Sequence, residues 1–438
     1  MERKTTQISQ AEVERQLTLC DDICRVTGQW ADKPLALVDT YGCQQNEADS
    51  ERIRGYLERM GFGFTDDAEQ ARIIVINTCA IREHAEQRVL GNVGALVHTK
   101  RRHPEQLICL CGCMVQEKHV AEKIRQSYRH VDLVFGPQAL WKFPEMVHTL
   151  LTQRGRIFSV ADEAGSIAEG IPTVRQDGIK AWVSIMYGCN NFCTYCIVPY
   201  VRGRERSRAP EDILDEVRGL VEQGYKDITL LGQNVNSYGK DLPEPMDFSD
   251  LLSAVNDIPG EFLIRFMTSH PKDATHKLFE TMARCEKVAP VLHLPFQAGN
   301  DRILKAMNRR HTRAQYLEKI AGADIHEVCL ESRPHPDFCG EGWWRDLRFV
   351  IDTCKQLDLK IWILDDAHFP TGYANGAVKE AAPELHKIVL THRTLDIVGP
   401  TPQASIVLTN MFDKTERFYG VTFMQEGHAV EVEHRIIE

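Results

Sequence analysis

The chain has 438 residues, of which 43% are hydrophobic and 26% charged, and its formal net charge is −10 at pH 7. This length predicts two or three domains, and the composition is typical of a soluble globular protein. The acidic balance argues against a general nucleic-acid binder, although a local basic stripe can act alone. The sequence contains neither the ~18 consecutive apolar residues of a membrane span nor, at its polar N-terminus, the apolar stretch of a secretory signal.

The first part of the chain alternates short apolar runs with helical patterns. Residues 1–32 are expected to form a polar tail and residues 33–150 a domain. Its predicted strands are 35–38, 73–76, 107–110 and 131–135, with helices at 50–60, from about 83 and from about 115. Such alternation implies a parallel sheet with flanking helices.

Three cysteines each follow one of these strands: Cys43, Cys79 and Cys113. The carboxyl ends of parallel strands lie on one edge of a sheet, where ligands bind, so the placement predicts a three-thiolate site. The alternative is three unrelated buried cysteines. Strand alternation also puts Cys111 on the same side as Cys113, which makes Cys111 a rival ligand.

Residues 151–178 show little periodicity and are predicted to be a linker to a second domain. The strands predicted there are 182–186, 227–231, 262–267 and 291–294, with a helix at 211–223. Polar residues follow each strand, as they do in β/α barrels, whose active sites lie at that face.

A Cys-x3-Cys-x2-Cys run, formed by Cys189, Cys193 and Cys196, follows the first of these strands. Three such thiolates can hold three irons of a cubane [4Fe–4S] cluster and leave the fourth iron open for catalysis. A zinc site is the alternative, but zinc usually takes paired cysteine elements with four closed ligands. Fourteen cysteines without an export signal also favour metal or catalytic roles over disulfides.

Three basic stripes are candidates for contact with nucleic acid, and each is alternatively a solvated face. They are Lys100 to His103, then Arg202, Arg204, Arg206 and Arg208, and then Arg309 to Arg313.

The residues around both cysteine sets resemble the radical-SAM methylthiotransferases. The motifs that carry the resemblance are Tyr41 to Glu51, Asn77 to Arg82, Cys111 to Gln116 and Tyr187 to Ser207. The resemblance implies two [4Fe–4S] clusters. One, on Cys189, Cys193 and Cys196, cleaves S-adenosylmethionine. The other is an auxiliary cluster that supplies sulfur, on Cys43, Cys79 and Cys113. The implied S-adenosylmethionine pocket is lined by Tyr195, Gln233, Asn234, Ser269 and Gln297.

The Gly-Cys-Gln-x-Asn pattern at Cys43 is similar to the tRNA-modifying branch of these transferases. That similarity implies transfer of a methylthio group to C2 of N6-isopentenyladenosine next to the anticodon, with a second S-adenosylmethionine as methyl donor. The base must leave its stack, which costs least in a single-stranded loop. The implied partners are the tRNA anticodon loop, a one-electron donor of flavodoxin or ferredoxin type and a sulfur donor. The enzyme is expected to be a cytoplasmic monomer without membrane contact.

Three other functions remain open. Sister enzymes act on threonylcarbamoyl-adenosine in tRNA or on an aspartate of a ribosomal protein. The third alternative belongs to a different class of protein, in which the chain would be an inactive fusion product or an iron–sulfur protein without turnover.

The resemblance holds from about residue 35 to residue 320 and then ends. The family continues with two more barrel strands and a small basic RNA-binding domain of TRAM type, and neither is recognised here. Residues 321–378 instead resemble the start of a glycoside-hydrolase barrel, which indicates a fusion. The expected fold class is α/β: an N-terminal parallel α/β domain, a partial radical-SAM (β/α)6 barrel over 179–320, and a non-family α/β segment over 321–438.

The foreign segment carries a predicted strand–helix–strand unit at 328–330, 343–357 and 360–364, which we hypothesise supplies barrel strands five and six. Five of its residues would then face the active site: Glu331, Arg333, Asp365, Asp366 and His368. A glycosidase needs two catalytic carboxylates, but only a fraction of such a barrel is present, which favours sugar-contact remnants without turnover. Further strands are expected at 404–409 and 429–432.

Overall fold

The computed structural model describes residues 6–80, 83–153, 155–160, 166–323, 325–331, 335–364, 423–425 and 428–430. The chain divides into two compact units, residues 1–372 and 373–438. Within the described ranges, no helix is both long and apolar enough to cross a bilayer.

The N-terminal part is a parallel sheet covered by helices on both faces, which confirms the predicted fold class. In chain order its elements are β1 (Thr6–Gln7), α1 (Gln10–Thr27), β2 (Leu35–Tyr41), α2 (Gln44–Arg59), β3 (Gly63–Phe64), β4 (Ala71–Thr78), α3 (Glu83–Arg102), β5 (Leu107–Gly112), α4 (Lys118–Ser127), β6 (Leu133–Phe135), α5 (Phe143–Thr152) and β7 (Ile157–Ser159). The strand order is β3-β2-β4-β5-β6-β7, and every pair is parallel.

The central strand β4 is buried almost throughout, as expected for a parallel strand with helices on both sides. Because side chains alternate along a strand, Ile73 and Val75 enter the core beneath α1, α2 and α5. Ile74 and Ile76 enter the opposite core, beneath α3 and α4. This double burial fixes the register, and with it the edge at which the cysteine loops emerge.

The expected polar tail differs from the structure, because most of it is helix α1. Ser9 caps the helix by accepting a hydrogen bond from the backbone of its first turn. The helix buries Cys20 and Ile23 in the core shared with α2 and α5. The apolar stripe of α1 is narrow and its other residues are polar, so the average composition of this segment does not reveal a buried helix.

The second part contains the barrel strands. Its elements are β8 (Ser166–Ile167), β9 (Lys180–Ser184), β10 (Met186–Tyr187), α6 (Val198–Val201), β11 (Arg206–Ser207), α7 (Pro210–Glu222), β12 (Asp227–Leu231), α8 (Phe248–Asn256), β13 (Leu263–Phe266), α9 (His276–Arg284), α10 (Asp301–Ala306) and α11 (Arg313–Ala321). Strands β9, β12 and β13 form a parallel sheet in the order β13-β12-β9.

The strand predicted at 291–294 is wrong. In the described part of the chain, this region adds to β13 only one isolated parallel bridge, between Ile264 and Val288. Pro290 and Pro295 bracket the segment, and each lacks the backbone N–H that a ladder needs. The apolar run therefore does not form a regular strand.

The predicted linker, 151–178, is packed along much of its length. Strand β7 joins the edge of the N-terminal sheet, and β8 pairs with β1. The backbone N–H of Val174 donates to the carbonyl of Glu51 on α2 at 3.0 Å. A Cβ at Gly55 would collide with the carbonyl of Pro172, so this close crossing requires glycine.

The foreign segment folds as the predicted strand–helix–strand unit, with β14 (Glu327–Leu330), α12 (Glu341–Gln356) and β15 (Lys360–Ile363). It packs against α11 through an apolar cluster that includes Leu317 and Val350. Within the described ranges, β14 and β15 pair only with each other, which contradicts the hypothesis that they complete the barrel sheet. Arg333, Asp365, Asp366 and His368 lie outside the described residues.

Only one antiparallel pair of the second unit is described, formed by β16 (Phe423–Gln425) and β17 (His428–Val430). The strand expected at 429–432 overlaps β17, and the one at 404–409 lies outside the described residues.

Candidate iron–sulfur active site

The first cysteine set lines one cavity. Cys43, Cys79 and Cys113 share it with Asn46 and Ala80. Their loops follow β2, β4 and β5, which are neighbours in the sheet, so their carboxyl ends meet at one edge. The structure therefore brings together the three thiols that the sequence placed after successive strands.

Backbone and amide hydrogen bonds hold the three loops together. The side-chain amide of Asn46 donates to the carbonyl of Thr78 at 3.0 Å, and the backbone N–H of Cys113 donates to the same carbonyl at 2.8 Å. Gly112, with φ of 97°, makes this approach possible, since a Cβ there would strike the Thr78 backbone. These hydrogen bonds join the three loops at one rim of the cavity.

Cys111 points into the protein core and not into this cavity. It lies inside β5, is 2% exposed and packs in the core with α2. Burial raises its pKa well above the usual range, as expected for a packing thiol. Cys113 lies after the turn at Gly112, so the geometry favours it over Cys111 as the third ligand.

The opposite wall of the cavity comes from the barrel: Ile197, Val198 and Val201 of the α6 region, and Arg202. Arg202 is buried; its Nε donates to Sγ of Cys113 at 3.1 Å, and its Nη2 donates to Asp49 at 2.8 Å. Burial acts to lower the pKa of Arg202, but the charges of Cys113 and Asp49 raise it above its usual range. Arg202 is thus a fixed cation beside a candidate ligand.

Electrostatics favour a thiolate at Cys43, whereas burial raises the pKa of Cys113 although the charge of Arg202 opposes this. A hydrogen bond from Cys79 lowers the pKa of Cys43 to about 5, against the effect of burial, and the positive charge of Arg202 adds to the lowering. Thiolates, not thiols, bind metal. This donor set therefore fits a group held by cysteine sulfur.

The second set, Cys189, Cys193 and Cys196, lies between β10 and α6. Cys189 and Cys193 are buried, and the backbone N–H of Cys196 donates to the carbonyl of Cys193 at 2.9 Å. Gly188 precedes the loop with φ of 77°, and a Cβ there would collide with the carbonyl of Arg204. The glycine lets the loop turn tightly after the strand.

Among the described residues, no three His, Cys, Asp or Glu side chains are arranged to hold one metal ion. A tetrahedral zinc site requires such convergence. In a [4Fe–4S] cluster each thiolate binds a different iron, so the three cysteines of one set would hold three irons of one cluster.

Two buried side chains that sequence reasoning missed lie against Cys193. Nε2 of His270 is 3.9 Å from its sulfur, and Nη1 of Arg309 is 3.6 Å from it. Burial, with the charge of Arg309, lowers the pKa of His270 to about 3, so the imidazole is neutral. The only sequence signal for Arg309 was its place in a basic stripe.

Two buried polar atoms without partners lie at the ends of β12 and β13. Asn234 and Ser269 are buried, yet Oδ1 of Asn234 and Oγ of Ser269 have no hydrogen-bond partner. Buried polar atoms are nearly always bonded, so these two fit a polar ligand such as S-adenosylmethionine. Tyr195 is half exposed, and its hydroxyl accepts from Arg309 at 3.3 Å.

The two remaining pocket candidates are placed differently. Gln233 lines the cavity of the first cysteine set, and its side-chain oxygen accepts a hydrogen bond from the backbone N–H of Gly188. Gln297 is exposed and has φ of 80°. Thr268 has φ of 71°, a rare conformation for a β-branched residue. Such strain clusters at functional sites.

Ion pairs hold several cations of the first two basic stripes. Lys100 pairs with Asp132 at 2.8 Å, and Arg208 is buried against Glu169 and Glu216. Arg310 of the third stripe is exposed, and it lines an open cleft of about 480 Å³. The other residues of this cleft are Pro271, Lys272, His311, Gln315, Tyr316, Glu318 and Lys319.

Two family models match the two parts of the chain. A family model described as "Uncharacterized protein family UPF0004" matches residues 36–136, and the model of the Radical SAM superfamily matches residues 183–326. A solved structure, that of the radical S-adenosylmethionine methyltransferase TsrM from Kitasatospora setae, has 13% identity and a TM-score of 0.48 over 76% of this chain and 75% of that chain.

Two curated relatives carry the name tRNA-2-methylthio-N(6)-dimethylallyladenosine synthase. The protein of Acetivibrio thermocellus is 49% identical over 346 residues, 78% of this chain and 72% of that protein. The protein of Thermoanaerobacter sp. strain X514 is 52% identical over 363 residues, 82% of this chain and 76% of that protein. About half of the aligned residues are identical, and the alignments cover more than two thirds of this chain and of each relative. The chain therefore belongs to the radical-SAM family of tRNA-2-methylthio-N(6)-dimethylallyladenosine synthases.

Proposed function

We propose that this chain is a transferase that adds a methylthio group to C2 of N6-isopentenyladenosine (dimethylallyladenosine) next to the anticodon of tRNA. The relatives' names support the substrate. The observation that carries the proposal is the contact between the two cysteine sites. Gln233 lines the cavity of Cys43, Cys79 and Cys113 and also accepts a hydrogen bond from Gly188, beside Cys189.

Each cysteine set would hold one [4Fe–4S] cluster, Cys43, Cys79 and Cys113 on one side and Cys189, Cys193 and Cys196 on the other. When bound, these groups supply the electron that cleaves S-adenosylmethionine and the sulfur that is transferred. The protein contributes binding, orientation and electrostatics.

Buried side chains would bind the S-adenosylmethionine and limit the positive charge beside it to one arginine. Oδ1 of Asn234 accepts from a polar N–H or O–H of the ligand, and Oγ of Ser269 forms a second hydrogen bond, since both atoms are buried and unpartnered. The neutral imidazole of His270 adds no second cation beside Arg309. This leaves Arg309 as the fixed positive charge at Cys193.

The cleft at Arg310 offers a route for RNA. Lys272, Arg310 and Lys319 line it, and His311 lies between the cleft and His270, with ring centroids 6.1 Å apart. Cations at this rim would hold backbone phosphates while an extruded base reaches the site. We further propose that the chain receives its electrons from a protein of flavodoxin or ferredoxin type and its sulfur from a separate donor. We propose that it acts as a monomer in the cytoplasm.

The test is nucleoside mass spectrometry of tRNA from cells that lack their own enzyme and express this chain. The expected result is 2-methylthio-N6-isopentenyladenosine, with none in cells that express Cys193→Ala. A chain that is soluble and iron-loaded but yields no such nucleoside contradicts the proposal. The same run detects the 2-methylthio derivative of threonylcarbamoyl-adenosine, which would indicate the sister substrate.

One observation favours a second candidate, an iron–sulfur protein without turnover. The barrel sheet contains β9, β12 and β13, and β14 and β15 form a separate pair in the described part of the chain. Release of 5′-deoxyadenosine from S-adenosylmethionine by the reconstituted, reduced chain separates the two candidates, because a protein without turnover releases none.

A further inference from the structure

We infer that Arg202 is a positioning residue of the auxiliary site, which raises the reduction potential of the cluster there and fixes its third ligand against the barrel. The inference rests on the proposed function, because it takes Cys43, Cys79 and Cys113 as ligands. Three observations carry it: the contact with sulfur, the burial of the cation, and the way its guanidinium is divided between two partners.

The contact is direct and comes from the other domain. Nε of Arg202, which follows α6 in the barrel, lies 3.1 Å from Sγ of Cys113 at the end of β5. Hydrogen bonds to ligand sulfur are among the features that set the potential of an iron–sulfur cluster. An N–H donor stabilises the additional negative charge that reduction brings.

The cation is also held where water screens it poorly. The Arg202 side chain is 5% exposed, and Ile197, Val198 and Val201 form the wall beside it. In such surroundings a charge acts more strongly than at the surface. A cluster on three thiolates is anionic, so a fixed cation favours its reduced form.

The guanidinium serves both domains at once. While Nε meets Cys113, Nη2 donates to Asp49 at 2.8 Å, and Asp49 lies on α2, the helix that begins just after Cys43. The planar fork of arginine reaches two partners in fixed geometry, and lysine cannot reproduce this. Arg202 therefore connects the segments that carry two of the three ligands.

The test isolates the auxiliary cluster in the full-length chain. A parent with Cys189, Cys193 and Cys196 changed to alanine is reconstituted anaerobically with iron and sulfide. Its potential is then measured by a dithionite titration followed by electron paramagnetic resonance. In this parent, Arg202→Gln should lower the reduced-to-oxidised ratio at fixed potential about tenfold, which is about 59 mV for one electron. Arg202→Lys, which keeps the charge and loses the fork, should shift it less in the same direction.

Arg175→Lys is the matched control. Arg175 is equally buried and pairs with Glu51, also on α2, and with Glu216, while its hydrogen bonds go to these carboxylates and to a backbone carbonyl. It should destabilise the chain without shifting the potential.

The outcomes separate the inference from the proposed function. An unchanged potential in both Arg202 variants overturns the inference alone. A parent that binds no iron overturns the ligand assignment of the proposed function, and the inference with it. If Arg202→Gln loses its cluster, the Arg202→Lys titration decides: a shift to lower potential supports the inference, and its absence overturns it.

Discussion

Gln233 of the barrel donates from Nε2 to Oε1 of Gln45 on α2 across 3.4 Å. Gln45 lies two residues after Cys43, and Gln233 accepts from Gly188, one residue before Cys189. Gln45 also donates to Ser184, at the end of β9, at 2.8 Å. This chain of amides ties one cysteine loop to the other, so the relative placement of the two sites depends on it.

Gln233→Leu should uncouple the two sites. Gln233 makes two of these hydrogen bonds, and each is worth about 1 kcal/mol. We therefore expect product formation to fall roughly thirtyfold, while release of 5′-deoxyadenosine falls less. The measurement is the ratio of deoxyadenosine to methylthio product per enzyme. Gln45→Leu should raise this ratio by the same factor. The double variant should raise it little further, since the two residues act as a pair. An unchanged ratio in both variants would show that the bridge has no role in coupling.

Cys111 at the end of β5 and Cys113 in the following turn should respond differently to substitution. Cys113→Ala should remove the auxiliary cluster, because Cys113 lines the cavity with Cys43 and Cys79. Cys111→Ala should keep both clusters and cost about 1 kcal/mol of unfolding free energy, as a small core truncation does. Iron and sulfide content per chain distinguishes them. Loss of iron in Cys111→Ala with normal iron in Cys113→Ala would reverse the assignment.

Ser269→Ala should weaken binding of S-adenosylmethionine without lowering iron content. Oγ of Ser269 is buried and unpartnered, and a hydrogen bond to a ligand would be worth about 1 kcal/mol, or roughly fivefold in Kd. Equilibrium dialysis against labelled S-adenosylmethionine measures the change. The matched control is Ser253→Ala on α8, whose hydroxyl already donates to the carbonyl of Ser249. Equal Kd values in both variants would exclude Ser269 from the pocket.

Arg310→Ala should weaken RNA binding in a salt-dependent way. If its guanidinium contacts one phosphate, the slope of log K against log salt should fall by about 1. Arg302→Ala is the control, since Arg302 is exposed on α10 and does not line the cleft. Fluorescence anisotropy with an anticodon stem-loop measures both slopes. Identical slopes would show that the RNA does not use this cleft.

The cysteine cavity was predictable, whereas the burial of Arg202 and Arg208 was not. Cys43, Cys79 and Cys113 each follow an apolar run, and the rule that parallel strands end at one edge was enough to bring them together. Arg202 and Arg208 alternate in a polar loop and so resemble a basic surface. Their burial depends on partners as far away in sequence as Asp49, and no local pattern reveals such pairing.

Local signals also failed where tertiary contacts decide the structure. The helix α1 owes its place to Cys20 and Ile23, which are buried against α2, but its sequence is polar on average. The run at 291–294 has the composition of a buried strand, yet the two flanking prolines lack the N–H groups needed for regular strand pairing. The order β14-α12-β15 was predicted from periodicity. The absence of pairing between these strands and β13 in the described residues depends on tertiary packing, which periodicity does not reveal.

Glu216 on α7 joins two buried arginines, and its loss should destabilise the chain in a pH-dependent way. Its carboxylate lies 2.7 Å from Arg208 and 2.8 Å from Arg175. Burial acts to raise the pKa of Glu216, but the arginines Arg208, Arg52 and Arg175 hold it below the usual value. Breaking a fully buried pair costs about 3 kcal/mol or more. Because the Glu216 side chain is 25% exposed, Glu216→Gln should lower the unfolding free energy at pH 7 by less, about 2 kcal/mol.

The sign of the pH dependence follows from the lowered pKa. A depressed carboxyl pKa contributes stability above the unfolded value of about 4.3, and this contribution is lost as pH falls through the folded pKa. The difference between the original chain and Glu216→Gln should therefore be full at pH 7 and shrink below about pH 4.3. Urea titrations of the iron-free chains at several pH values measure it. Glu211→Gln, an exposed change on the same helix, should show no such difference, and a gap that stays constant down to pH 3 would contradict the electrostatic explanation.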